Sequence, residues 1–222
     1  TSRLFGFNLK QNFAFPYFSR DIAEFWRRWH ISLSTWFRDY LYIPLGGSRG
    51  GAMMKVRNTF IIFIVSGFWH GANWTFIVWG ALNAIYFLPI LLTNRNRKNI
   101  DTVASGRLFP SPNEFLSMGA TFGLTVIAWV FFRAENMGHA MAYISEIFSS
   151  STFNIPEIRP RNTTLLIIGF LVIEWYGRGQ QFAIQNLGIQ WKRPFRYALY
   201  YAIIILIFWF GGKEQEFIYF QF

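Results

Sequence analysis

Apolar positions fall in long runs along this chain. Residues 115–132 are 18 positions without a charge, and 74–92 are 19 in which Asn83 is the strongly polar exception. At 1.5 Å per residue each run covers roughly 27–29 Å as helix, close to the bilayer core of about 30 Å. Residues 197–212 add 16 uncharged positions anchored by Tyr200, Tyr201 and Trp209, and 163–176 add 14 with Glu174 near one end. Residues 59–69 are only 11 positions, about 16 Å as helix, which predicts a half-span ending near mid-membrane. Between Met137 and Phe148 the apolar residues Met137, Ala140, Met141, Ile144, Ile147 and Phe148 keep helical spacing. That pattern predicts an interfacial helix. The set predicts an all-α, multi-pass transmembrane protein, with a cytoplasmic or interfacial region over 1–57 and transmembrane helices over 58–222.

Residues 19–42 carry a different pattern. Asp21 with Glu24 has the spacing of a capping box, and Pro16 lies upstream. Ile22, Phe25, Trp26, Trp29, Leu33, Trp36, Phe37 and Tyr40 then follow the i, i+3, i+4, i+7 rhythm of one amphipathic helix. Asp21, Glu24, Arg27, Arg38 and Asp39 take the opposite face, and His30 sits at the stripe's edge, where a polar group can face a cavity or simply close a core edge. The arginines suit a phosphate-facing or solvated face. Residues 43–51 hold Gly46, Gly47, Gly50 and Gly51 around Arg49 without the Lys-Ser/Thr of a phosphate loop, so a turn is the plainer reading.

Composition narrows the class. The chain is 53% hydrophobic, 21% aromatic and 14% charged, against about a quarter charged in ordinary domains, which excludes disorder. The absence of Cys excludes disulfides, thiol catalysis and Cys-ligated zinc. A net charge of +10 suits nucleic acid or basic membrane loops equally. Its placement decides: Arg95, Arg97, Lys98, Arg107, Arg178, Lys192, Arg193 and Arg196 fall in two loops on one side of alternating helices. The other side has Arg133, Arg159, Arg161 and Lys213, offset by Glu135, Glu146, Glu157, Glu214 and Glu216. The first side is read as cytoplasmic, which places the C-terminus outside and excludes nucleic acid as a partner. The opening Thr1-Ser2-Arg3, without Met or leader, reads as a start inside a longer protein.

His70 is the chemical focus. Phe68-Trp69-His70-Gly71-Ala72-Asn73-Trp74 interrupts the apolar run from 59 to 92 at the end of the expected half-span. An ionisable residue at that depth marks a functional site, and glycine there permits a backbone turn. A neutral imidazole can take a proton from an acceptor hydroxyl near neutral pH, as acyl transfer to an alcohol requires. A structural histidine bonded to a neighbouring helix is the alternative. Three His in total, without Cys or an i, i+4 pair, argue against a metal. A Ser-His-Asp set from Ser32, Ser34 or Ser66 with Asp39 lacks a nucleophile elbow. His139 reads as a surface residue.

These stretches resemble a known family. The run from Asp21 to Gly47, centred on Phe25-Trp26-Arg27-Arg28-Trp29-His30 and Trp36-Phe37-Arg38-Asp39-Tyr40, resembles the membrane-bound O-acyltransferases, in particular their alginate-acetylating and teichoic-acid-alanylating bacterial branch. Phe68-Trp69-His70-Gly71 looks like that family's catalytic histidine motif. Trp129-Val130-Phe131-Phe132-Arg133-Ala134 and Phe217-Ile218-Tyr219-Phe220-Gln221-Phe222 are similar to the alginate branch. The resemblance implies a helical fold around a funnel, the chain being the C-terminal part of a single such domain. It implies His70 as catalytic base, His30 as second histidine, and Trp26, Arg27, Arg28, Arg38, Asp39, Trp69 and Asn73 as candidate donor- or substrate-binding residues. It also implies no bound cofactor, with acetyl-CoA or an acyl-carrier thioester as donor. The implied surroundings are membrane lipid, an extracytoplasmic SGNH-type acyltransferase partner, a polysaccharide acceptor, a possible acyl carrier protein, and the bacterial cytoplasmic (inner) membrane. The expected function is transfer of an acyl group, acetyl by resemblance, from a cytoplasmic thioester towards an extracytoplasmic polysaccharide hydroxyl. A membrane transporter built on the broken helix, or a non-catalytic assembly subunit, is the alternative.

Overall fold

A computed structural model of the chain describes residues 2–153 and 160–211, and these are helix, turn and loop without a strand. Eight α-helices follow one another: α1 (Ile22–Arg28), α2 (Ile31–Phe37), α3 (Gly51–Trp69), α4 (Trp74–Leu92), α5 (Pro112–Arg133), α6 (Met137–Ile147), α7 (Arg161–Gly177) and α8 (Arg193–Phe210). Four of them, α3, α4, α5 and α8, are long and apolar enough to cross a membrane. Arg159, Lys213, Glu157, Glu214, Glu216 and the motif at 217–222 lie outside the described residues.

Residues 1–165 form one compact unit. Its centre is the α3–α4 hairpin, where two glycines bring the backbones together. A Cβ on Gly67 would lie 2.2 Å from the Phe76 carbonyl oxygen, and one on Gly80 would lie 2.3 Å from that of Phe63. Small residues at such a crossing are what membrane helices use to pack. α5 starts from a full capping box: Ser111 accepts from the Glu114 N–H, and the Glu114 carboxylate accepts from the Ser111 N–H. It packs on α4, and α6 folds back so that Ala140 meets Trp79, Ala128 and Phe131 in one core cluster. The helix expected at 137–148 is α6, with its N-terminus capped by Asn136.

Two expectations require correction. The helix expected to run through 19–42 is broken: α1 ends at Arg28, Trp29 is extended (φ −102°, ψ 128°) and His30 is left-handed (φ 45°). A π-helical segment, Arg38–Tyr42, follows α2. The break comes from residues distant in sequence. The Ala14 N–H donates to the Arg28 carbonyl and the Ile31 N–H to that of Asn12. The Asn12 Oδ1 accepts from both N–H and Oγ of Ser32. The backbone groups freed at the break are thus satisfied by residues 12–14. The expected stripe is accordingly dispersed: Ile22, Phe25 and Phe37 are buried while Trp36 and Tyr40 are exposed. Asp21 does cap α1, but Glu24 reaches back to the Arg20 N–H, not to that of Asp21.

The half-span is the second correction. α3 is a 19-residue helix that begins at Gly51, about 28 Å long, because Lys55 and Arg57 belong to its first two turns. Arg57 donates to the Asn58 side chain and the Leu45 carbonyl. The buried Asn58 in turn donates to the carbonyls of Leu45 and Gly47, fastening the glycine-rich stretch as a turn against α3.

Residues 166–222 cluster as a second unit, taken by itself. It holds most of α7, all of α8 and the turns between them, with Arg178 stacked 4.0 Å over Trp175. None of the residues of α8 is buried.

Candidate active site

His70 caps the C-terminus of α3 and opens the tight link to α4. Gly71 takes φ 151°, a region that L side chains rarely occupy, so the link requires glycine. Asn73 then caps α4: its Oδ1 accepts from the Thr75 N–H (3.1 Å) while its Nδ2 donates to the Glu135 carbonyl (2.8 Å). The link is therefore tied at one side to the start of α4 and at the other to the α5–α6 connection. The His70 ring is half-buried among Phe132 (centroids 4.8 Å), Trp69 (4.9 Å), Trp79 (5.5 Å) and Phe76 (6.1 Å). The enclosure comes from packing and not from the position expected of a half-span.

His30 stands at the break between α1 and α2. Its ring lies 6.0 Å from Phe13, and its Nδ1 is buried without a partner among the described residues. The elements that carry the two sequence-predicted histidines meet through rings, Trp26 of α1 packing on Trp79 and Trp79 on His70. Between their elements stands an aromatic wall: Trp26 touches Phe63 (5.3 Å) and Trp79 (5.9 Å), and Trp29 touches Trp129 (5.1 Å).

On the far side of Trp26 opens a cavity of about 330 Å³. Ser34, Arg38, Tyr42, Ser48, Thr59, Ser66, Asn96 and Arg97 supply its polar wall, and Trp26, Leu33, Phe37, Ile62, Phe63, Phe87 and Leu91 the apolar one. Ser66 lies one helical turn before His70. Trp26 lines the cavity and packs on Trp79, which packs in turn on His70.

The other predicted residues have assorted duties. Arg27 donates to the carbonyls of Asn96 and Asn99. Arg28 donates to Glu24, Ala14 and the Asp101 carbonyl. Both are engaged in structure, and neither lines the cavity. Arg38 does line it, paired with Asp39 on the exposed side (2.7 Å). Trp69 is half-exposed beside His70, and Asn73 acts through its cap. A second cavity, about 460 Å³, opens at the other end of α5 between Trp129, Arg133, Glu135, His139 and Tyr143. His139 is thus part of a recess. No cluster of three or more His, Asp or Glu side chains among the described residues could hold a metal.

The site is thus a hairpin of two membrane-length helices with a histidine among aromatic rings at its tip and a cavity lined by Ser66 one turn before it. The model of the membrane-bound O-acyltransferase family matches residues 3–131. The chain belongs to that family. Its match takes in both histidines and every residue lining the first cavity. The protein named "probable alginate O-acetylase AlgI" of Pseudomonas aeruginosa is 39% identical over 196 residues, 86% of this chain and 35% of that protein. The "peptidoglycan O-acetyltransferase" of Helicobacter pylori is 42% identical over 137 residues, 62% of this chain and 24% of its own length. The "teichoic acid D-alanyltransferase" of Streptococcus thermophilus is 35% identical over 144 residues, 59% and 34% respectively. The chain spans between about a third and a half of the alginate O-acetylase relatives. It is thus a multi-pass membrane protein of the acyltransferase family.

In this member of the family, sequence reasoning missed Asn96 and Arg97 as cavity residues. Their signal, an asparagine and an arginine inside the polar run Asn94-Arg95-Asn96-Arg97-Lys98-Asn99, is indistinguishable from a solvated loop until Arg27 is seen to grip it. Ser66 was weighed there only as a nucleophile and set aside, whereas the structure makes it part of the cavity wall at i, i+4 from His70.

Proposed function

We propose that this chain forms the acyl-transfer region of a membrane O-acyltransferase that passes an acetyl group from a cytoplasmic thioester to a hydroxyl bound for extracytoplasmic polysaccharide. The observation that carries the reading is His70, set among the rings of Trp69, Phe76, Trp79 and Phe132, with a cavity of about 330 Å³ lined by Ser66 one helical turn before it. The names of the relatives, which include acetyl and D-alanyl transferases acting on cell-envelope polymers, support the acyl chemistry and the class of acceptor.

The chemistry follows from a neutral imidazole held among aromatic rings. His70 takes the proton of an acceptor hydroxyl as the oxygen attacks the thioester carbonyl. The C–S bond then breaks, the thiolate leaves towards the cavity, and the imidazolium returns the proton to it. The rings around His70 limit the water that would otherwise hydrolyse the thioester. The second cavity, at the opposite end of α5 from the 93–111 loop, suits the acceptor side. An SGNH-type partner outside the membrane and a carrier protein inside it complete the scheme.

The test is His70→Ala in the full-length protein within its native membrane, scored by O-acetyl content of the cell's envelope polysaccharide. Loss of acetylation with normal membrane abundance is expected. Retained acetylation at normal abundance overturns the reading, and solute flux without acyl product would establish a transporter.

A further inference from the structure

The loop that joins α4 to α5 is held down by three arginines of the α1 region. Arg27 grips the carbonyls of Asn96 and Asn99. Arg20 takes the carbonyl and the carboxylate of Asp101, and Arg28 the same carbonyl. The Asn99 Nδ2 donates to the Asp21 carboxylate (2.6 Å), and Val103 and Ala104 are buried beneath the loop's far end. A polar surface loop does not need this many cross-links. Their effect is local: residues 96 and 97 become one wall of the 330 Å³ cavity.

That wall presents a cation whose charge is not balanced. Two arginines line the cavity. Arg38 is neutralised by Asp39 at 2.7 Å, whereas the Arg97 side chain makes no ion pair or hydrogen bond among the described residues. No lining residue is acidic, and Ser34, Tyr42, Ser48 and Asn96 add neutral hydrogen-bonding groups. A partly enclosed recess with a net positive wall and neutral donors selects a phosphorylated ligand.

We propose that Arg97 is the anion-recognition residue for the acyl donor, contacting a phosphate of a phosphopantetheine thioester, and that Arg27 is the positioning residue that sets it at the cavity wall. The assignment rests on the acyl-transfer reading above and adds the residue that selects the donor. Acetyl-CoA and a carrier-protein thioester share the pantetheine phosphate, while only the former adds nucleotide phosphates.

The test uses full-length enzyme with its partner proteins in lipid nanodiscs, with acetyl-CoA and acetylated carrier protein assayed separately. Arg97→Ala is expected to raise the donor KM about 10- to 100-fold, with kcat within twofold. Arg97→Glu should raise it further, and Arg97→Lys should recover most of the loss. Arg95→Ala removes the same charge from the same loop but not from the cavity, and should leave KM within twofold. Arg27→Ala should raise KM as well and, unlike Arg97→Ala, increase amide exchange over 96–101. An equal loss with both donors assigns the contact to the pantetheine phosphate, and a loss with acetyl-CoA alone assigns it to the nucleotide. Unchanged KM for Arg97→Ala and Arg97→Glu in an active enzyme overturns this assignment alone. A wild-type enzyme that turns over neither donor overturns the acyl-transfer reading and this assignment with it.

Discussion

Glu24 shows how much one buried carboxylate can organise. Its side chain is 1% exposed, and it accepts from the Arg20 backbone and guanidinium and from the Arg28 guanidinium at 2.8–3.2 Å. A carboxylate this enclosed is tolerated because every oxygen is engaged by a charged donor. Removing its charge leaves two largely buried cations facing each other. Glu24→Gln should therefore destabilise the fold by about 3–5 kcal/mol, read as a shift in the denaturation midpoint of the full-length protein in detergent. A shift under 1 kcal/mol would mean that the arginines find other partners. In sequence, Glu24 looks like the far end of a capping box with Asp21. Its role as hub was illegible because Arg20 gains its other partners, Asp101 and Glu114, only when the chain folds back across 81 positions and more.

At the scale of elements, the α3–α4 hairpin and the 93–111 loop make opposite demands. The hairpin depends on absent side chains. Gly67→Ala sets a Cβ against the Phe76 carbonyl with no flexible atom to move aside, so the helices must part and the link carrying His70 must shift. A loss of 2 kcal/mol or more, about the cost of overpacking a tight contact, is expected together with lower acyl transfer. Gly119→Ala on α5 is the matched control. Nothing lies within 4 Å of its Cβ, so helix propensity predicts a gain of up to about 1 kcal/mol. Equal effects at the two positions would show that the hairpin is looser than its backbone contacts indicate. The loop instead depends on charge. The Arg20 guanidinium, donating to Asp101, holds that carboxylate below its ordinary 3.8. A depressed folded-state pKa contributes stability above the ordinary value and loses it as pH falls through the folded one. Amide protection over 96–101 should thus be level from neutral pH down to about 5 and weaken below about 4. Asp101→Asn should remove that acid-side change but leave the carbonyl contacts. If the variant keeps the wild-type pH profile, another carboxylate facing Arg20, such as Glu114 at 3.7 Å, governs it.

Across the whole chain, what the sequence made legible is what depends on neighbours a few positions away. The run at 74–92 is the helix Trp74–Leu92 to the residue, and the uncharged run 115–132 lies within Pro112–Arg133. The break at His30 was not legible because Asn12 and Ala14 make it, and neither carries a local signal. Arg97 was counted as one basic residue among many, since only the grip of Arg27 makes it a cavity wall. The remaining large question, which side faces the cytoplasm, rests on charge counts, and the chain offers an unusually clean way to answer it. It contains no Cys, so a single introduced thiol reports alone once any cysteines elsewhere in the full-length protein are replaced. Lys98→Cys in the α4–α5 loop and Ser145→Cys on α6 are both at exposed positions that line neither cavity. The loop is joined to the start of α5 and α6 follows its end, so one crossing by the 22-residue α5 places the two thiols on opposite sides. The excess of basic residues in the loop then predicts that a membrane-impermeant maleimide applied to intact cells labels position 145 and spares position 98 until the membrane is permeabilised. The reverse pattern would invert the chain, turning the Arg97 cavity outward, where no cytoplasmic thioester could reach it, and the direction proposed for acyl transfer would fall with it.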